Sequence, residues 1–423
     1  MHMDRTIGGC DCDSVLALGS LLSIPEAVDC ALRRVTPIAD VEDIAIAEAV
    51  GRITAKPVCA PMAMPLFDNA AMDGFAFCRS DLEGRCCLPV SGTVAAGDAP
   101  RALPAGTALR IYTGAPVPDG ADTVVMIEAC VDKTTKVHLN TVPAKGTNIR
   151  CHGSDQAQGQ QIVPACTRLA PHHIGLLAAN GIDTVSVVRR PRVAVFSTGD
   201  EVCKGALKPG QIPDANRPLL RALLRQAGAQ VVDMGILPDE ADATTHALRG
   251  MRDQVDLIVT TGAVSMGGKD HVQAALVAAG GTVDGWRVAL KPGKPVMFGA
   301  LGKTAFTGLP GNPFAAHVGF HLFLLPQLAR LTGATPRAFA SETGISGFDW
   351  DRKPGRAEVF PVRVTGRDTY GRPVLERLGR SVSATLLPLS EADGLAIVPA
   401  DCIHVTNGTP VKWHPFCQTG AEQ

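Results

Sequence analysis

The chain reads as a multidomain α/β protein. A central three-layer α/β/α domain with a mostly parallel sheet is accompanied by a β-rich lid and a C-terminal β domain, expected as a barrel with a sandwich as the alternative. Three observations predict this. Its 423 residues exceed what one hydrophobic core usually serves, so roughly two to four domains are expected. Strand-like and helix-like runs alternate from Arg192 to Leu331, the rhythm of βαβ units. On both sides of that segment, short apolar runs are broken by Pro/Gly turns, the texture of small β modules.

The elements follow in order. Ser23 is placed to cap a helix, with Pro25 in its first turn and Glu26 at the capping-box position. Ala27, Val28, Ala31, Leu32 and Val35 then share one face. A second amphipathic stretch runs from Ile44 to Val50 and stops at Gly51. From Val58 to Val142, runs such as Ala108–Tyr112, Thr123–Ile127 and Lys136–Leu139 read as strands, and Leu169–Asn180 reads as a helix. The central segment predicts strands Val193–Ser197, Gln230–Met234, Asp256–Thr261, Arg287–Leu290, Val296–Gly299 and Thr304–Thr307. Its helices are Pro218–Ala227, Glu240–Met251, His271–Ala279 and a long Pro313–Leu331. Beyond Thr335, strands are expected at Val359–Val364, Val374–Leu378, Leu395–Pro399 and Pro410–Trp413. The implied layout is a flexible tail over 1–19, a linker domain from 20–57 and 148–190, a lid over 58–147, an α/β domain over 191–335 and a β domain over 336–423.

Composition narrows the function. A net charge of −1 at pH 7 argues against a nucleic-acid coat or a polybasic membrane anchor. Three Trp and two Tyr are too few for an aromatic stacking surface. The 13 cysteines include no C-x-x-C pair, so reduced thiols are expected rather than a disulfide framework. The start of the chain lacks the apolar core of a signal peptide. No run reaches the ~18 apolar residues of a membrane span. A cytoplasmic protein without membrane or nucleic-acid partners is expected.

Chemistry concentrates where predicted strands end. The turns are Ser197-Thr198-Gly199-Asp200-Glu201, Thr260 to Asp270, and Thr307-Gly308-Leu309-Pro310-Gly311-Asn312-Pro313. Glycines let backbone N–H groups approach an anion, and helix N-termini add partial positive charge. Lys291-Pro292-Gly293-Lys294-Pro295 adds two full charges on a proline-stiffened loop. Glu201 and Asp270 are the carboxylates a divalent metal needs. Ligands of open α/β sheets bind at the carboxyl ends of the strands. The set reads as a site for a phosphorylated ligand, a metal and a second anion. His317 and His321, four apart on a predicted helix, have no acidic residue between them in H-E-x-x-H fashion and read as structural histidines.

Five segments together resemble a known family. Pro65-Leu66-Phe67-Asp68-Asn69-Ala70-Ala71-Met72-Asp73-Gly74-Phe75-Ala76 is similar to the signature of MoeA-type molybdopterin molybdenumtransferases, the family that includes the E domain of gephyrin. So are Ile111-Tyr112-Thr113-Gly114-Ala115-Pro116-Val117-Pro118, Ser197 to Glu201, Lys291 to Pro295 and Gly308 to Pro313. The resemblance runs from about Leu22 to Trp413, in the family's order. It implies an enzyme that inserts molybdate into adenylylated molybdopterin with a divalent metal such as Mg²⁺, releasing AMP. It implies a homodimer in which the α/β domain of one subunit faces the signature-bearing domain of the other. Molybdopterin adenylyltransferase and recipient molybdoenzymes are the expected partners.

The resemblance also distributes roles. Asp270, Asp73, Glu201 and Lys291 are the expected catalytic residues, with Glu201 and Asp270 on the metal. Thr113, Asp155, Asp239, Ser265, Arg287, Lys294, Asn312, Arg356 and Ser383 are expected to bind ligand. Plainer roles compete at several positions: Asp270 and Asp239 are also well placed to cap helices, and Asp68, Asn69 and Asp73 are turn formers. Ala263 stands where the family often has a second Gly, and Lys269 where it commonly carries an acidic residue. The alternatives are a non-catalytic molybdopterin-binding carrier or scaffold, or a tungstate-preferring paralogue.

Overall fold

The computed structural model describes residues 21–82, 84–262, 271–336, 338–379 and 384–416. The tail expected over 1–19, Ala263, Ser265, Lys269, Asp270 and Ser383 lie outside the described residues. Two compact units are present, one of the residues up to Glu42 together with Val188 onward, the other Asp43–Val187.

In the first unit, helix α1 (Ile24–Arg33) starts with the expected capping box. Glu26 Oε2 accepts from the Ser23 backbone N–H at 2.8 Å, and the Glu26 N–H donates to Ser23 Oγ at 3.4 Å. Its buried face is Ala27, Cys30 and Ala31.

The central sheet contains β1 (Arg192–Thr198), β2 (Gln230–Leu237), β3 (Leu257–Thr261), β4 (Thr282–Trp286), β6 (Met297–Leu301) and β7 (Thr304–Leu309), while β5 (Leu290–Lys291) belongs elsewhere. Strand order is β2-β1-β3-β7-β6-β4. The pairs β2/β1, β1/β3 and β3/β7 are parallel; β7/β6 and β6/β4 are antiparallel. The sheet is thus mixed, because a two-residue turn at Gly302-Lys303 returns the chain directly instead of through a crossover helix. The strand expected over Arg287–Leu290 is displaced. Arg287 has φ 70°, which breaks an extended run, and the paired residues are Thr282–Trp286 before it and Leu290–Lys291 after it.

Alternation along the parallel strands accounts for the two cores. Val193, Val195, Leu257 and Val259 bury among residues of α1, of α2 (Asn216–Gln226) and of the segment after Asn312. Ala194, Phe196, Ile258 and Phe306 bury among residues of α3 (Ala241–Met251) and α4 (Val272–Ala278). Successive strand residues point to opposite faces, so each strand must be apolar throughout. The long helix expected over Pro313–Leu331 is α5 (Pro313–Gly319) and α6 (Leu325–Leu331), joined by a π turn over Phe320–Leu324.

The C-terminal strands close on themselves. β8 (Glu342–Ser346), β9 (Ala357–Arg367), β10 (Pro373–Arg377), β11 (Gly394–Val398) and β12 (Pro410–Pro415) pair in the order β9-β10-β8-β12-β11, and β11 returns to β9. This five-strand barrel settles the choice between barrel and sandwich. β5 adds to β9 from outside, in parallel.

The second unit holds a six-stranded sheet ordered Thr123–Met126, Gly74–Phe77, Ala108–Ile111, Cys87–Val94, Lys136–Leu139, Cys130–Asp132. Phe75, Phe77, Leu88 and Val137 fill one core, and Ala76, Leu109, Ile111 and Val124 another. The amphipathic stretch expected over Ile44–Val50 is instead a strand, Val41–Ala45, followed by a 3₁₀ turn, Ile46–Glu48. Ile44, in the strand, and Ile46, at the start of the turn, both pack on the core around Leu177.

Candidate active site

The carboxyl ends of β1 and β3 meet a third chain end, that of β7. The Gly262 N–H donates to the Leu309 carbonyl at 3.2 Å. A Cβ on Gly262 would stand 2.6 Å from the Thr198 carbonyl oxygen, and its φ is +96°, so only glycine fits there. Beneath these turns lies the Asn216 amide at the start of α2. Its Nδ2 donates to Thr261 Oγ1 and to the Gly311 carbonyl, each at 2.7 Å. Thr261 Oγ1 in turn donates to the Pro310 carbonyl at 3.0 Å. One buried amide therefore ties together α2, the end of β3 and the Gly308 to Pro313 turn. Thr198 Oγ1 and Thr260 Oγ1 are buried beside them with no hydrogen-bond partner among the described residues.

A second network fixes the start of α2. Asp214 accepts from Ser197 Oγ at 3.1 Å and from Arg217 Nε at 2.8 Å. Arg217 Nη1 reaches Asp233 on β2 at 2.6 Å. These hydrogen bonds hold Arg217 above, and Asp233 below, its ordinary pKa despite burial, which opposes both shifts.

Glu201 is exposed in the turn after β1. A Cβ on Gly199 would lie 2.7 Å from both Glu201 carboxylate oxygens, so the glycine is what lets Glu201 fold back over its own turn. The Glu201 carbonyl accepts from Ile212 N–H at 2.7 Å, which anchors that turn. Among the described residues, no group of three or more His, Cys, Asp or Glu side chains gathers to hold a metal. Mg²⁺ commonly takes one or two protein carboxylates and completes its shell with phosphate oxygens and water. An exposed Glu201 fits a metal that arrives with a phosphorylated ligand.

Asp239 is nearly buried, 9% exposed, with Oδ1 3.1 Å from His271 Nδ1. His271 Nε2 is 3.0 Å from Thr244 Oγ1. This chain of contacts joins the start of α3 to the residue that follows Asp270. Asp239 thus braces that loop end.

Lys291 sits at the end of β5, next to the barrel. Its Nζ is 3.0 Å from Glu358 Oε1, with the lysine side chain 45% and the glutamate 3% exposed. The Lys291 loop is closed by Val288 N–H donating to the Lys294 carbonyl at 2.9 Å. Arg287, just before it, donates its N–H to the Val296 carbonyl at 3.2 Å. Arg356 immediately precedes β9, and its carbonyl accepts from Arg352 Nη2. Asn312 is the exposed N-cap of α5, and its carbonyl accepts the Ala316 N–H at 3.0 Å.

Asp73, Thr113 and Asp155 belong to the other unit. Asp73 Oδ1 accepts from both the N–H and the Oγ1 of Thr113, each at 2.7 Å. Those hydrogen bonds, the backbone one first, pull its pKa below the ordinary carboxylate value. The two predicted residues are therefore partners. Asp155 is exposed, and its N–H donates to the Met64 carbonyl at 2.9 Å.

Residues missed in the sequence are Asn216, Asp214, Arg217 and Glu358. A polar Asp214-Ala215-Asn216-Arg217 run just before a predicted helix was the available signal for the first three. Nothing local marks Glu358, an acidic residue in an apolar strand whose partner is 67 positions away (358 less 291). His317 and His321 pack against Phe416: His317 is 6% exposed and meets the Phe416 ring edge-on, and His321 stacks on it.

Comparison with known proteins finds matches between residues 22 and 416. The family model described as MoeA N-terminal region (domain I and II) matches residues 22–181. The probable molybdopterin binding domain matches 194–330, and the MoeA C-terminal region (domain IV) matches 343–416. A Haemophilus influenzae protein named molybdopterin molybdenumtransferase is 38% identical over 296 residues, 69% of this chain and 73% of the relative. One of the same name from Nostoc sp. is 33% identical over 384 residues, 88% of both chains. The solved structure of a molybdopterin biosynthesis moeA protein from Pyrococcus horikoshii OT3 superposes with a TM-score of 0.80. It is 25% identical and covers 94% of this chain and 100% of its own.

Proposed function

Because the chain belongs to the MoeA-type molybdopterin molybdenumtransferase family, we propose that it inserts molybdate into adenylylated molybdopterin and releases AMP. Transfer of molybdenum to molybdopterin, in molybdenum cofactor biosynthesis, is the activity its relatives are named for. The observation that carries the finer reading is the half-exposed Lys291 ammonium on a loop closed against the barrel. With Lys294 and Arg356, it offers positive charge to two anions that would otherwise repel one another.

Glu201 and Asp270 would hold Mg²⁺, whose charge neutralises phosphate oxygens when bound. The bond between the pterin phosphate and AMP is then cleaved by water, with Asp270 orienting it. Ser265, Arg287, Asn312 and Asp239 would serve ligand binding, and Ser383 would serve molybdate binding with Arg356. The layout that serves this comprises the tail 1–19, the linker 20–57 and 148–190, the lid 58–147, the molybdopterin-binding α/β domain 191–335 and the β domain 336–423. Two cores on opposite faces of the central sheet support a three-layer α/β/α arrangement there. Asp73, Thr113 and Asp155 serve the site of a second subunit in a homodimer. The enzyme works in the cytoplasm between molybdopterin adenylyltransferase and recipient molybdoenzymes. Among the described residues, no helix is long and apolar enough to cross a membrane.

The test is molybdate-dependent AMP release from adenylylated molybdopterin. The wild-type protein releases AMP and Asp270→Asn, which can still cap a helix, does not. A protein that binds and retains the adenylylated pterin without release is a carrier. Mixing Asp73→Ala with Asp270→Ala under subunit exchange should restore about a quarter of wild-type activity if sites are shared and independent. No recovery, with heterodimers confirmed by mass, means that both residues serve one subunit's site or that Asp73 has only a turn role.

A further inference from the structure

The barrel carries a buried acid that faces Lys291. Lys291 and Glu358 are register partners of the parallel β5/β9 pair, and the Ala357 N–H donates to the Ala289 carbonyl at 2.9 Å. The Glu358 carboxylate is almost fully enclosed, and its Oε1 lies 3.0 Å from Lys291 Nζ. On its other side, Arg352 Nε lies 3.7 Å from Oε2, both side chains being buried. Arg352 does not depend on Glu358 for placement. It donates to the carbonyls of Pro399, Cys402 and Arg356.

A buried carboxylate against the buried Arg352 guanidinium and the half-exposed Lys291 ammonium, with the Arg377 guanidinium also within electrostatic reach, has a definite consequence. The charge of Glu358 is best compensated while Lys291 stays near it. The ammonium has three N–H donors, so a held Lys291 still presents donors to solvent. Its flexible four-carbon stem, which would otherwise lose rotamer entropy on binding an anion, is ordered beforehand. The same Arg352 fixes the backbone carbonyl of Arg356, the residue two before Glu358. One buried pair thus bears on both barrel-side cations.

We infer that Glu358 is a positioning residue that holds the Lys291 ammonium in place for an oxyanion, with Arg352 as its buried counter-charge. This rests on the reading of Lys291 as an anion-binding residue. Glu358 itself meets no substrate. It acts through Lys291, so its removal should raise the molybdate requirement while sparing the steps that follow binding.

The experiment is a double-mutant cycle on the full-length protein with Glu358→Gln, Lys291→Ala and the pair together. Two readouts are used: molybdate binding by calorimetry, and the KM for molybdate against kcat in AMP release. Glu358→Gln should weaken molybdate binding and raise KM by about tenfold, the scale of a charge-assisted contact, with kcat nearly unchanged. In the Lys291→Ala background, Glu358→Gln should add nearly nothing. Equal fold-changes in both backgrounds, or wild-type molybdate binding by folded Glu358→Gln, overturns the inference. Where Glu358→Gln does not fold, Glu358→Asp decides: it keeps a charge for Arg352 but withdraws it from Lys291, and a wild-type KM overturns the inference equally. Unchanged molybdate dependence in Lys291→Ala alone is a separate result, and removes the anion-binding role of Lys291.

Discussion

Asp73 and Lys291 are both charged residues of recognisable motifs, but they are held in opposite ways. Asp73 finds its partner in another motif of the same sheet, where Thr113 offers two hydrogen bonds from one residue at an exposed turn. Lys291 faces a buried carboxylate supplied by strand β9 of the barrel. The first arrangement also joins residues 40 positions apart, but it does so at an exposed surface where water could replace either partner. The second exists only once the barrel has closed and docked. An exposed carboxylate should therefore be energetically cheap to alter, and the buried pair costly.

The strongest way to break this contrast is Glu358→Ala. It leaves Arg352 buried without its counter-charge and should cost about 3–5 kcal/mol, read as a large fall in the denaturant midpoint. A loss no greater than that of a surface substitution would show that the buried pair is not structurally coupled.

Next in size is acid. His317 on α5, His321 in the π turn and His414 on β12 form a cluster of ring contacts with Phe339 and Phe416. Burial, and secondarily His414, lowers His317 from 6.5 to about 4. His321 lies well below its ordinary value from burial and both neighbours, and His414 is lowered by burial. All three stay neutral in the fold where the unfolded chain takes protons. The unfolded state therefore binds more protons as pH drops below 6.5, and the stabilisation is lost between 6.5 and about 4. At about 1.4 kcal/mol per unit, His317 alone contributes on the order of 3 kcal/mol. Thermal melts at pH 7 and pH 5 check the sign, and His317→Phe should flatten the dependence.

Gly262→Ala comes third. A methyl 2.6 Å from the Thr198 carbonyl at φ +96° should cost about 1–3 kcal/mol and loosen the turn that ties β1 to β3. Equal melting temperatures would mean that the turn relaxes freely. The smallest structural effect belongs to Thr113→Val. It removes one of two hydrogen bonds to an exposed carboxylate, so the melting temperature should barely move, while the Asp73 pKa rises toward its ordinary value in an NMR titration. An unmoved pKa would leave the backbone N–H as the only effective partner.

Much of the fold was legible because its signals are local. The capping box of Ser23 and Glu26, the helices near 216–226 and 241–251, and the strands ending at Thr198 and Thr261 all follow from spacing within a few residues. The misread elements are those where local signals are balanced. Ile44 to Val50 carries both a helical and an alternating pattern, and the chain is extended only through Ala45 before a 3₁₀ turn, with Ile44 and Ile46 both packed on the core around Leu177. Val288 to Leu290 is as apolar as a strand, but the positive φ at Arg287 interrupts it.

The sequence by itself determined the motif set, the family resemblance, the alternation that buries both faces of the central sheet, and the glycines that let turns approach one another. Each of these depends on residue type and short-range spacing, which are written directly in the chain. Only the tertiary structure decided that β9 returns to β11 to make a barrel, that the Asn216 amide binds two strand-end turns, and that Glu358 stands against Lys291. Those facts join residues separated by tens of positions. Such pairings are set by which surfaces pack and by the cost of leaving a buried charge or amide alone, and no local pattern records that cost.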